Sequence, residues 1–225
     1  MKNLFLCLDI FLFLAPWTFC LDSKAFRLKK LNNAAVPAVV AGIVFSAIGV
    51  IFNIFGIWQF NAEFVVGVYY RGVPLEFFLF CFGFSFLGIN VYQYLNARFP
   101  KNNLQQFSLT VSNLVLGLCI AFGFFGHSHW YTIVVFALLF VLLLYVEYLN
   151  KIRFMYRFYR AYLVCLLPFY ICFGIMGKLP ILLYNSKETL GINMVDIPLE
   201  SHFYIMAMLL LGVYLLEFFG KRVAK

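Results

Sequence analysis

Charge is the scarcest property of this sequence. Asp, Glu, Lys and Arg make up 12% of its 225 residues and apolar types 64%, where soluble domains run at about 25% and about 45–50%. With a mean hydropathy of +0.93, an ordinary soluble domain is excluded. No Gly-x-y period runs through the chain, and its low-charge stretches come in blocks of roughly twenty residues, which excludes fibrous and disordered proteins. Paired cysteines are missing too. Cys7, Cys20, Cys81, Cys119, Cys165 and Cys172 lie in or beside apolar blocks with no CxxC among them, so neither a disulfide framework nor a zinc site is expected. They read as small apolar residues. There is no G-x-G-x-x-G, Walker loop, H-E-x-x-H or G-x-S-x-G, so no cofactor is identified: nucleotide, flavin and standard hydrolase chemistry have no motif here.

What is present is a series of membrane spans. A span needs roughly 17 to 25 mainly apolar residues, and seven blocks qualify: 3–21, 34–58, 73–94, 107–126, 130–149, 161–177 and 198–219. The first follows Met1-Lys2 as a signal peptide would, but Asp9 lies in its apolar stretch and no A-x-A-like cleavage site follows, so it is expected to remain a span. Basic residues should gather on one side of the membrane. Thirteen do: Lys24, Arg27, Lys29, Lys30, Arg98, Lys101, Lys151, Arg153, Arg157, Arg160, Lys221, Arg222 and Lys225. Lys2, Arg71, Lys178 and Lys187 fall on the other side. This split predicts an integral, multi-pass protein with its N-terminus outside and its C-terminus in the cytoplasm, in the cytoplasmic (inner) membrane if the cell is bacterial. It also accounts for the +8 net charge through basic loops beside anionic headgroups, with the lipid bilayer as partner and no nucleic acid.

Laid on itself at an offset of 124 residues, the chain repeats without a gap. Asn61, Gly67, Pro74, Leu75, Glu76, Gly88 and Arg98 fall on Asn185, Gly191, Pro198, Leu199, Glu200, Gly212 and Arg222, and Arg27 and Lys29 on Lys151 and Arg153 with charge kept. The expected fold is therefore all-α, a polytopic bundle of about seven spans built from a parallel three-helix repeat, spans 1–3 and 5–7, joined by span 4. Residues 1–225 form a single membrane domain, with a first half over 1–98, a linking span over 99–129 and a second half over 130–225.

Both copies of Pro-Leu-Glu read as a helix start, since Pro suits the first turn and a carboxylate there meets the positive end of the helix dipole. Carboxylates at membrane depth are costly and face a bundle interior or polar cavity, so two at duplicated corners point to a shared pocket. Trp58, Phe60, Tyr69, Tyr70, Phe77, Phe78 and Phe80 flank one corner and Tyr184, Phe203 and Tyr204 the other. Aromatic faces stabilise a cation, and apolar surroundings favour the neutral carboxyl that can act as an acid. The combination suits proton-initiated carbocation chemistry on a hydrocarbon; taken singly, each ring also fits an aromatic belt at the membrane interface. Asp9 lies deep in its span, Glu147 and Glu217 near helix ends where a snorkelling group is expected, and Ser112 and Asn113 where helices hydrogen-bond. His127, His129 and His202 share the side of Glu76 and Glu200, but their spacing is no ligand motif and no metal is expected.

The sequence resembles the membrane-integral lycopene cyclases, found as two small subunits or one fused chain, over nearly its whole length. The likeness is strongest in FGIWQFNAEFVVGVYYRGVPLEFFLF (55–80), RFYRAYLVCLLPF (157–169) and YNSKETLGINMVDIPLESHFY (184–204). It implies a redox-neutral isomerase acting on a linear carotenoid such as lycopene: a carboxylic acid protonates a terminal double bond, the cation closes a ring, and a ring proton leaves. Glu76 and Glu200 match the first acid of the family's Pro-x-Glu-Glu and Pro-x-Glu-Asp motifs and are the candidate catalytic residues. Asp9 matches an acid of the family's first helix, and Asp9, Trp58, Asn61, Phe77, Tyr184, Asn185 and Ser201 are the candidate substrate-binding residues. The second acids are absent, replaced by Phe77 and Ser201, while Gly49 and Phe173 stand where the family has Asp and Asn. The resemblance thus leaves open a cyclase using Glu76 and Glu200 alone, an enzyme for a different terpenoid, and a non-catalytic carotenoid- or lipid-binding protein. A homo-oligomer, or an assembly with other carotenoid-pathway enzymes, is compatible with it.

Overall fold

The computed structural model describes residues 3–22, 28–101, 105–150 and 153–223. Among them, seven helical segments are long and apolar enough to cross a membrane. They are α1 (Leu4–Leu14, extended by a 3-10 stretch Ala15–Leu21), α2 (Leu28–Ile54), α3 (Leu75–Arg98), α4 (Ser108–Phe125), α5 (Trp130–Leu144, extended by a π-helical turn Tyr145–Leu149), α6 (Met155–Lys178) and α7 (Leu199–Val223). The seven-span helical architecture expected from the sequence is therefore what the chain adopts. Several boundaries differ from expectation: α2 starts six residues early, at Leu28, and α3 and α7 each end four residues late, at Arg98 and Val223. The second span ends at Ile54 because Gly56, with φ of +67°, turns the chain although the apolar run continues. The Ile57 N–H closes that helix end on the Phe52 carbonyl at 2.9 Å. The sixth begins at Met155, six residues early, taking in Arg157 and Arg160. Arg160 donates to the Phe99 carbonyl and to Asn96 Oδ1, each at 2.9 Å, so its charge ties the start of α6 to the end of α3.

The central pair of the bundle is α3 and α7. Helix α3 packs on α1, α2, α6 and α7, and α7 packs on α2, α3 and α5. The repeated glycines sit at their crossing: a Cβ on Gly88 would lie 2.2 Å from Leu209 Cδ2 and one on Gly212 3.0 Å from Ile89 Cδ1. Small residues are what let apolar helices approach closely in lipid.

Among the described residues, six strands of two or three residues, which the sequence pattern did not announce, gather at one end of the bundle. Strands β1 (Trp58–Phe60) and β4 (Leu182–Tyr184) pair antiparallel, while β2 (Tyr69–Tyr70) with β3 (Val73–Pro74) and β5 (Asn193–Met194) with β6 (Ile197–Pro198) form hairpins. The 124-residue offset reappears in these bonds. Gln59 pairs with Leu183, its own counterpart, so a local two-fold passes between them. Asn61 N–H donates to the Ile181 carbonyl at 3.0 Å and Asn185 N–H to the Ile57 carbonyl at 2.8 Å, and Leu75 and Leu199 N–H reach the Val68 and Ile192 carbonyls, both at 2.9 Å.

Each hairpin turns through two residues of positive φ, Arg71 and Gly72 at 50° and 82°, Val195 and Asp196 at 54° and 60°. Such turns favour Asn-Gly, and a β-branched residue there is strained. Val195→Asn with Asp196→Gly is therefore expected to stabilise the chain by about 1–2 kcal/mol. A higher Tm in detergent checks this, and an unchanged or lower Tm contradicts it.

The opposite end is closed by polar contacts. Glu147 is buried rather than snorkelling. It accepts from Ser112 Oγ at 2.9 Å and pairs with Arg153 at 3.4 Å, and Ser112 also meets the Tyr159 hydroxyl at 2.8 Å. Tyr148 donates to Asn113, and Tyr92 joins the half-buried Glu217 at 2.5 Å. Ser112 and Asn113 thus make the interhelical bonds expected of them. Of the charges used to orient the chain, Lys2, Lys24, Arg27, Lys151 and Lys225 lie outside the described residues, as do the side chains of Lys29, Lys221 and Arg222.

Candidate active site

The strand-bearing end builds the same corner twice. In each copy an Asn starts a tight loop, its Oδ1 accepting the N–H two residues on: Glu63 on Asn61 at 3.0 Å and Lys187 on Asn185 at 3.1 Å. Gly67 and Gly191 then turn with φ of 100° and 71°, which L side chains rarely adopt. After the hairpin, Pro74 and Pro198 lead into α3 and α7, which set Glu76 and Glu200 in their first turns. Both carboxylates bend back onto the loop: Val66 N–H donates to Glu76 Oε1 at 2.5 Å and Leu190 N–H to Glu200 Oε1 at 2.7 Å. Val66 and Leu190 are again 124 residues apart.

Glu76 is 1% exposed and Glu200 0%, and the second oxygen of each has no hydrogen-bond partner among the described residues. Buried polar atoms are nearly always paired, so two such oxygens at equivalent places mark a site. The corners differ in what approaches from the neighbouring helix. Thr132 of α5 donates to Glu200 Oε1 at 2.7 Å. On the side of Glu76, Asp9 of α1, a helix that packs on α3, is 1% exposed and neither of its oxygens has a hydrogen-bond partner among the described residues.

Between the corners lies a core of rings. Trp58 packs against Phe52, Phe77, Tyr131, Tyr204 and Tyr184 with centroids 5.1 to 6.1 Å apart, and its Nε1–H donates to the Gly49 carbonyl at 3.0 Å. Ser201 Oγ meets the Tyr131 and Tyr184 hydroxyls at 3.1 and 2.9 Å. Burial pushes the Tyr184 phenol well above its ordinary range, so it remains an O–H donor in neutral conditions. In place of the one shared pocket expected for both carboxylates, two corners flank a ring cluster: Glu76 bends onto the Val66 loop, Glu200 meets Thr132 of α5, and positions 77 and 201 meet the rings.

Of the expected site residues, the structure buries Asp9 on α1 and joins Trp58, Phe77, Tyr184 and Ser201 in the cluster. Asn61 and Asn185 instead direct their side chains to loop backbone, Asn185 Nδ2 also reaching the Gly56 carbonyl at 3.3 Å. Sequence reasoning missed Thr132, Tyr131 and Phe52. The repeat gave no signal for the first two, whose counterparts are Leu8 and Cys7. The histidines bond mainly to backbone: His127 to the Phe124 carbonyl, His129 to that of Lys187 and His202 to that of Pro198, with Tyr170 on its other nitrogen.

The departures at 49 and 77 are coupled. A Cβ on Gly49 would lie 2.2 Å from Phe77 Cε1 and 3.2 Å from Trp58 Cζ2, so the Phe77 ring occupies the space that a side chain at 49 would need.

No curated protein and no solved structure matches the chain. A family model described as lycopene cyclase matches residues 2–95 and 128–219. Each matched segment carries one buried corner, the first with Asp9 and Glu76, the second with Thr132 and Glu200. Matched over most of its length and across both corners, the chain belongs to the lycopene cyclase family.

Proposed function

We propose that the chain is a carotenoid end-group cyclase that converts the open end of lycopene, or of a related linear carotenoid, into a ring without net oxidation or reduction. The observation that carries this reading is the pair of buried corner carboxylates, each with one unpartnered oxygen, on either side of an aromatic core. A proton added to the terminal double bond leaves a tertiary cation. The electrons of a second double bond close the ring, and loss of a ring proton restores neutrality. Proton transfer and stabilisation of the cation fall to the corner acids, with Glu76 and Glu200 the leading candidates. Aromatic faces stabilise such a cation, and the ring cluster of Trp58, Tyr131 and Tyr184 supplies them beside the corners. The basic end of the bundle is cytoplasmic and the corners lie at the extracytoplasmic end.

A second reading has its own observation. Phe77 fills the space beside Gly49 where the family carries acids, which suits a protein that binds a carotenoid without turning it over.

The test is the purified chain in lipid nanodiscs loaded with lycopene, with no nucleotide or flavin added. A product of unchanged mass and blue-shifted absorption is expected. Lycopene that stays bound but unaltered supports the binding reading instead.

A further inference from the structure

The two halves differ where each hairpin meets the preceding helix. In the first, Asn53 of α2 reaches hairpin β2–β3: its Nδ2 donates to the Arg71 carbonyl at 3.3 Å, and a Cβ on Gly72 would lie 2.7 Å from that nitrogen. At the 124-residue offset its counterpart on α6 is Gly177, and Trp58 of β1 is matched by Leu182 of β4. The smaller side chains leave space. A cavity of about 130 Å³ lies between the end of α6, strand β4 and hairpin β5–β6, walled by Phe173, Met176, Gly177, Leu182, Tyr184 and Ile197, with Asp196 of the exposed turn as the charged residue beside it. Among the described residues, a Cβ on Gly177 would come within 4 Å of the Asp196 carbonyl alone, at 3.4 Å.

We infer that this cavity receives the open, branched end of the hydrocarbon substrate and holds it against the ring cluster, so that the substrate is seated in the second half of the chain while Asn53 and Trp58 fill the equivalent place in the first. This rests on the cyclase reading above and adds where its substrate is held. Lining, size and position each point to that occupant. The walls are apolar except for the Tyr184 hydroxyl and Asp196, and an apolar cavity takes hydrocarbon in preference to water. A cavity of about 150 Å³ holds one benzene, so this one has room for a branched end of about five carbons and not for a whole polyene. Tyr184 is the wall shared with the ring cluster. Its hydroxyl meets Ser201 Oγ at 2.9 Å, next in sequence to Glu200, and its ring lies 5.8 Å from Tyr131 and 6.1 Å from Trp58. A hydrocarbon end in the cavity is therefore one side chain away from the rings.

The experiment fills the cavity and leaves the rest of the chain as it is. Gly177→Leu places a side chain inside it, Gly177→Asn installs the residue of the first half, and Gly174→Leu adds the same bulk one turn earlier on α6, outside the lining, where a Cβ meets nothing within 4 Å among the described residues. The full-length proteins in nanodiscs are titrated with lycopene, binding being read from its absorption and ring formation by chromatography, with Tm in detergent alongside. Replacing a glycine inside a helix favours the helix, so the Tm of Gly177→Leu is expected at or above wild type. Its Kd and KM for lycopene are expected to rise by about tenfold or more, because the buried end loses its place, with kcat changed less than KM. Gly177→Asn should shift both in the same direction, and Gly174→Leu should match the wild type. A Gly177→Leu protein that binds and cyclises lycopene within about twofold of wild type, or a Gly174→Leu protein equally impaired, overturns the proposal while leaving the cyclase reading in place. If Gly177→Leu does not accumulate, Gly177→Asn decides by the same criteria. A wild type that binds lycopene without cyclising it overturns the cyclase reading, and the Kd comparison then decides the cavity; one that does neither overturns both.

Discussion

Glu76→Gln is expected to lower ring formation by about 10²- to 10⁴-fold, equivalent to about 3–5 kcal/mol of lost transition-state stabilisation, while leaving the fold intact. The separation of activity from stability follows from the contacts. Glutamine keeps a carbonyl oxygen where Oε1 accepts Val66 N–H at 2.5 Å, so the loop before the hairpin stays anchored and the first turn of α3 is unchanged. What disappears is the ability to take up a proton. Glu200→Gln likewise keeps an acceptor for Thr132 and Leu190, so its ring formation is expected to fall while its fold is kept. Initial rates in nanodiscs, compared with Tm for the same preparations, check both. A Glu76→Gln protein that melts early, or that cyclises at the wild-type rate, contradicts this account.

The largest effect on stability is expected at Gly49. A methyl group there meets the Phe77 ring at 2.2 and 2.5 Å, contacts that real Cβ atoms do not make, and Trp58 at a tight 3.2 Å. Because both rings are buried and wedged among Phe52, Phe60 and Tyr131, neither can swing aside freely. Gly49→Ala should cost about 1–3 kcal/mol through overpacking. Phe77→Leu removes the atoms in the way, so in that background the same substitution should cost much less, with a coupling of about 1–3 kcal/mol in the double-mutant cycle. Thermal melts of the four proteins in one detergent decide it. Additive costs would mean that the Gly49 and Phe77 departures arose independently.

How far the sequence foretold this arrangement depends on range. The spans were readable because apolar length alone defines them, and the error at 55–58 arose where an apolar run continues through the turn at Gly56. The corners were readable because Pro-Leu-Glu repeats at a fixed offset, and the structure adds the matching N–H donors, Val66 and Leu190, whose side chains carry no signal of that backbone role. Short strands of two or three residues hold no periodicity and could not be foreseen. Trp58 and Tyr204 illustrate the limit for aromatics: by composition they suit an interfacial belt, yet both are buried, while Tyr69 and Tyr70 of the same stretch are exposed. The difference between the corners was least legible. Asp9 falls opposite Ile133 and Thr132 opposite Leu8, so the repeat is silent where the two halves have diverged in chemistry.

The most direct test of the central claim, that buried corner acids drive ring closure, is pigment chromatography of lycopene-accumulating bacteria expressing the wild-type chain beside Glu76→Gln at matched membrane levels. The account predicts cyclised carotenoid with the wild type and lycopene alone with the variant. Lycopene left unchanged by the wild type, or equal cyclisation by both, would contradict it.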